Sequence, residues 1–177
     1  SSDLAIARIE KFTTDLIPRV EKIESDYKSF SEPSFQFELR NAQKVAACTD
    51  READYELLSE LLVHRIEKGE ERKIKASISK AIEIVDQIDD EALCALTIIY
   101  AINRWTAVTG DITQGLMVME DLFSSICYHS LPKGLDWAYH LDILNAARVS
   151  SVGTFKKFSE FYPNAFSGYT CVGIEKE

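Results

Sequence analysis

Apolar residues recur along most of this chain at spacings of three and four, the repeat of a helix with one buried face. Ala5, Ile9, Phe12, Leu16, Val20, Ile23, Tyr27 and Phe30 make one narrow stripe, which predicts a long helix over 3–30. Pro18 lies inside it. A proline there removes an amide donor and crowds the preceding turn, so a kink or a split near 14–17 is expected. A narrow stripe on a long polar helix suits an arm packed across a bundle or a seam with a second copy. Ile9, Phe12, Leu16 and Ile23 are therefore the candidate oligomer contacts.

"SEPSFQF" restarts the chain, with Pro33 suited to a first helical turn. Phe35, Leu39, Ala42 and Ala46 then share a face. Thr49 and Glu52 have the spacing of a capping box. Leu58, Leu61, Leu62 and Ile66 form the inward side of the helix that follows, and Gly69 is placed to end it. The next helix opens on Glu70 and Glu71, favourable at a positive dipole end, and turns Ile74, Ile78, Ala81, Ile82 and Val85 inward. Residues 92–101 are apolar nearly all round and predict the most buried helix, too short to span a bilayer. Asp111, with Gln114 three residues on, predicts the cap of a helix striped by Leu116, Met119, Leu122, Phe123 and Ile126. Trp137, His140, Leu141 and Leu144 share a face of another, and a last helix is expected over about 152–161. Pro163, Asn164 and Gly168 mark a loop, and the alternation over 169–174 reads as a short strand or an irregular tail.

The pattern predicts an all-α, mostly antiparallel bundle of about seven or eight helices. "TDREADYELLSELL" and "IDDEALCALTIIYA" start alike about 39 residues apart, which leaves HEAT-like hairpins open. The expected organisation is an N-terminal helix or arm over 1–30, a bundle core over 31–162, and a tail over 163–177. The absent initiator Met and the charged end "GIEKE" suggest a fragment whose tail continues into a missing region.

Composition supports helices: the 177 residues include only seven Gly and four Pro, few turn residues for an all-β fold. Apolar residues at 46 % and charged residues at 28 % are ordinary for a globular domain. The net charge of −9 disfavours binding to phosphate backbones. Cys48, Cys94, Cys127 and Cys171 are widely spaced, without C-x-x-C or zinc-finger spacing. They read as small buried hydrophobes in a reducing cytosol. The start "SSDLAIARIE" has neither the basic nor the apolar segment of a secretory signal, so a cytoplasmic location is expected, with no membrane contact.

Two clusters could carry chemistry. Asp136 and His140 are four apart, close enough on a helix to share a point, with Trp137 beside them. That group is the candidate ligand pocket, although no further metal ligand stands at matching spacing and the plainer reading puts Trp137 in the core. Arg65, Lys68, Arg72, Lys73 and Lys75, with His64 and Lys80, form a cationic patch around a helix turn. It suits an anion or an acidic partner. No aromatic residues interleave with it, so base stacking is unsupported. Phosphate loops, zinc-protease and serine-hydrolase motifs, calcium loops and Glu-x-x-His pairs are all missing from the sequence. No catalytic residue, metal or cofactor is expected.

Residues 33–103 carry Pro-x-Phe before an Ala-Gln helix, then a Thr-Asp-x-Glu start, then Leu61, Leu62 and Arg65. In these features the chain resembles a group of uncharacterised bacterial helical proteins known mainly by locus tags. The resemblance implies a bacterial cytosolic setting and carries no activity. The expected function is a non-catalytic protein-interaction or regulatory module that docks helix faces with a protein partner or with itself. One alternative is an enzyme or ligand-binding domain around Trp137 and His140. A second is a nucleic-acid-associated regulator with a winged-helix-like end, for which Lys156 and Lys157 are the sole basic residues in place.

Overall fold

The computed structural model describes residues 2–25, 27–68, 71–150, 152 and 157–165. These residues form eight α-helices and one short 3₁₀ turn, with no strand among them. The expected strand over 169–174 and the helix end at Gly69 lie outside the described residues. The chain divides into two compact units, 1–88 and 89–177. The first helix shares the core of the first unit with its neighbours.

The first unit holds α1 (Ser2–Glu21), the 3₁₀ turn (Lys28–Ser31), α2 (Pro33–Cys48), α3 (Glu52–Lys68) and α4 (Arg72–Ile84). Both α1 and α4 pack on α2 and α3, which also pack on each other. Consecutive helices run antiparallel. Arg8 near the start of α1 donates to the carbonyls of Ala47 and Cys48 at the end of α2. Glu38 in the first half of α2 meets Arg65 near the end of α3. Arg51 before α3 donates to the carbonyls of Val85 and Ile88 beyond α4. Phe12, Leu16 and Val20 join Phe35, Ala42, Ala46, Leu58, Leu62 and Ile82 in the core. Each large side chain sealed there contributes about 1.5–3 kcal/mol.

The expected single helix over 3–30 is corrected. The helix runs through Pro18 and ends at Glu21. In the turn before the proline, Thr13 and Thr14 donate their hydroxyls to the carbonyls of Ile9 and Glu10. The chain then reverses at Tyr27, a left-handed residue at φ 52°. Tyr27 packs edge-on against Phe30, and Phe30 against Phe35. The last two aromatic residues of the stripe thus reach the core through a turn. The capping box is corrected as well. Thr49 accepts from the Arg51 amide and donates to Asp54, which Arg51 also grips at 2.8 Å.

The second unit holds α5 (Asp90–Arg104), α6 (Ile112–Ile126), α7 (Asp136–Ile143) and α8 (Phe158–Ala165). Helix α5 packs on α6 and α7. Asp89 caps α5 by accepting from the Ala92 amide at 2.7 Å, and Asp111 caps α6 through Gln114 as expected. The last helix begins at Phe158, later than expected, and Pro163 lies inside it. No helix among the described residues is long and apolar enough to cross a membrane.

Candidate functional site

Exposed apolar side chains concentrate in the second unit, along α5 and α6. The first half of α5 is sealed: Ala92, Cys94 and Ala95 are buried. Its second half, expected to be the most buried helix of all, exposes Ile99 and Tyr100 at 43 % and 55 %. Ala101 beside them is 1 % exposed, so α5 keeps a covered face along its length and leaves the side bearing Ile99 and Tyr100 uncovered. Tyr100 is held in place from both sides. Trp105 lies edge-on to its ring at 6.4 Å between centroids, and the Arg104 guanidinium lies over it at 5.6 Å. Such a cation over an aromatic face is worth about 0.5–1 kcal/mol at an exposed site.

Gly110, at φ +73°, lets the chain turn back into α6. That helix buries Gly115 and Met119 and leaves Ile112 and Leu116 exposed one turn apart. Met117 and Val118 are exposed as well. Leu116, read in the sequence as part of an inward stripe, is 54 % exposed. The inward face of α6 is narrow because it is built around a glycine and a methionine. Scattered exposed hydrophobes are normal, whereas successive turns of them on neighbouring helices mark contact surfaces.

The pocket expected at Asp136, Trp137 and His140 takes a different form. All three lie on α7, where Asp136 is exposed and Trp137 and His140 are half-buried. Trp137 donates its indole N–H to the Gly134 carbonyl at 3.1 Å. His140 turns to the start of α5, where its Nε2 accepts from the Asp89 amide at 3.3 Å and lies 3.6 Å from the Asp89 carboxylate. The imidazole thus ties α7 to the capped end of α5. Leu141 and Ala138 supply the buried face of the helix.

The cationic patch separates into two populations. Arg65 is 3 % exposed and belongs to the interior. Its Nε lies 2.9 Å from Glu38, off the N–H axis, as an ion pair. Its Nη2 donates to Ser34 at 3.0 Å and lies 3.9 Å from Glu32. Burial raises the pKa of Glu38, and the opposing pull of Arg65 and then Lys75 only partly offsets it. Lys68, Arg72 and Lys73 are exposed and Lys75 is half-buried. Lys73 and His64 stand at a groove of about 300 Å³ between α3 and α4, floored by Leu61, Ile74 and Ile78.

The candidate oligomer contacts on α1 fall in different environments. Phe12 and Leu16 are 0 % and 2 % exposed within the first unit, Ile9 is half-buried, and Ile23 is exposed beyond the helix end. Among the described residues, no three His, Cys, Asp or Glu side chains converge as metal ligands.

A family model named by a locus tag matches residues 1–177. The chain belongs to that family. The match extends beyond the residues 33–103 on which the resemblance rested. No curated protein and no solved structure matches the chain.

Proposed function

We propose that this chain is a protein-interaction module of the family, working by helix-face docking through the exposed apolar strips of α5 and α6. The observation that carries this reading is the pair Ile112 and Leu116, uncovered one turn apart on a helix whose neighbour exposes Ile99 and Tyr100. Helical ridges spaced by three and four residues are what an apolar face of a partner helix accepts. Tyr100, Trp105 and Arg104 are residue types enriched at binding hot spots, and their mutual stacking limits the side-chain freedom lost on docking.

The buried position of Phe12 and Leu16 moves the proposed contact from the N-terminal stripe to the second unit. His140 has a structural task at the start of α5, so the enzyme reading gains no support from it. Lys156 lies outside the described residues, and the winged-helix reading gains none either.

Sedimentation of the purified chain, combined with site-specific photocrosslinking at the exposed Ile112 in the native host, tests the proposal. A dimer lost in Leu116→Asp identifies a second copy as the partner. A monomer with a crosslinked partner that Tyr100→Ala and Leu116→Asp abolish identifies another protein. A chain that stays monomeric at high concentration and forms no crosslink dependent on these residues refutes the reading.

A further inference from the structure

Cys94 and Cys127 are 33 positions apart in sequence and converge on one oxygen atom. Cys94 lies in the buried half of α5, and Cys127 is the residue that closes α6. The Cys127 thiol donates to the carbonyl oxygen of His129 at 3.3 Å, and the Cys94 thiol reaches the same oxygen at 4.0 Å. Two sulfurs that share one acceptor oxygen lie in the same small neighbourhood at the junction of α5 and the end of α6. Cys94 is sealed from solvent while Cys127 is half-exposed. One thiol is therefore open to a small reagent and the other waits behind it.

We propose that Cys94 and Cys127 form a dithiol site that takes small disulfide oxidants and closes to an intramolecular disulfide joining α5 to the end of α6. In the first step the Cys127 thiolate attacks one sulfur of glutathione disulfide. The oxidant's S–S bond breaks, a mixed disulfide forms at Cys127, and one glutathione leaves as thiolate and takes up a proton. In the second step Cys94 loses its proton and attacks the Cys127 sulfur. The mixed disulfide breaks and the second glutathione leaves as a thiol. Two protein thiols are oxidised and one disulfide is reduced to two thiols, so electrons and protons balance.

Burial first, and the neighbouring Cys94 next, raise the Cys127 pKa above that of an ordinary thiol. The first step is accordingly slow at neutral pH and accelerates as pH rises, since the thiolate is the attacking species. The second step is intramolecular and fast by proximity. The site therefore accumulates the closed disulfide and little mixed adduct. Cys48 is exposed in the first unit and is expected to keep any glutathione it acquires.

The test treats the full chain with glutathione disulfide, blocks remaining thiols by alkylation, and maps the peptides by mass. The expected product is a Cys94–Cys127 crosslinked peptide without bound glutathione. Cys94→Ser is expected to convert it into a stable glutathione adduct at Cys127. An independent measurement on the unaltered chain uses phenylarsine oxide, which bridges paired thiols: it should protect Cys94 and Cys127 together and leave Cys48 open to alkylation. If Cys127 retains glutathione in the unaltered chain, or the arsenical protects neither cysteine of the pair, the proposal is wrong, whether or not Cys94→Ser folds.

Discussion

The Glu38–Arg65 pair in the first unit allows a double-mutant cycle with a sign that depends on pH. Both side chains are nearly sealed, at 8 % and 3 % exposure, between α2 and α3. Removing one partner of a buried pair leaves a charge without compensation, at a cost of about 3–5 kcal/mol. Glu38→Met should fall at the lower end, about 3 kcal/mol, because Arg65 keeps Ser34 at 3.0 Å and Glu32 at 3.9 Å. With a urea m-value of about 2 kcal/mol/M, the unfolding midpoint drops by about 1.5 M. Arg65→Met removes the main cation opposing the burial of Glu38, whose pKa is already raised. A carboxyl whose folded pKa exceeds its unfolded value favours the fold when protonated and loses that contribution as pH rises through the folded value. Arg65→Met should therefore lose more stability at pH 8 than at pH 5. The double variant Glu38→Met/Arg65→Met replaces the pair with apolar volume and should recover most of either single loss. Urea titrations followed by far-UV circular dichroism at both pH values give the cycle, and hydrogen exchange in α2 and α3 locates the loss. Additive single effects, or an Arg65→Met loss that does not grow with pH, would refute the assignment of this pair as a mutually dependent buried unit.

Two smaller perturbations test local arrangements. Tyr55→Phe removes a buried hydroxyl that donates to the Thr49 carbonyl at 3.0 Å and should cost about 1 kcal/mol by urea titration. Asp89→Ala removes the α5 cap and should cost about 1 kcal/mol, with faster amide exchange at Ala92 as the local signature.

The helices of the first unit were legible because their inward faces are built from residues whose size and spacing leave little choice. Phe35, Leu58, Leu62, Ile78 and Ile82 recur at the helical repeat, and all are buried. The end of α1 was not legible. Tyr27 and Phe30 keep the helical spacing, yet they reach Phe35 through a left-handed residue and a 3₁₀ turn. Periodicity records which residues are covered and is blind to the route the backbone takes. The buried place of Arg65 was not legible for a related reason: its partner Glu38 lies 27 positions upstream, at no helical spacing from it. The Cys94–Cys127 approach has no spacing signature either, since it arises where the end of α6 meets α5. The exposure of Ile99 and Leu116 was hidden by the same pattern that found their helices. An apolar stripe looks identical whether this chain or a partner covers it.

If the strips on α5 and α6 dock a partner as proposed, charge decides which kind they can hold. The chain carries −9, and the second unit supplies few cations beyond Arg104, Lys133 and Arg148 among its described residues. Two copies brought together repel at long range, and that repulsion is screened within about 10 Å at 0.1 M salt. A second copy on the apolar face would therefore bind more tightly as salt rises, because screening removes the opposing term while apolar burial persists. A basic partner would be attracted over the same distance and would associate more slowly as salt rises. The proposed apolar contact at Ile112 and Leu116 is common to both cases, so a weakened affinity alone does not distinguish them. The sign of the salt dependence can, since it reports the charge of whatever approaches.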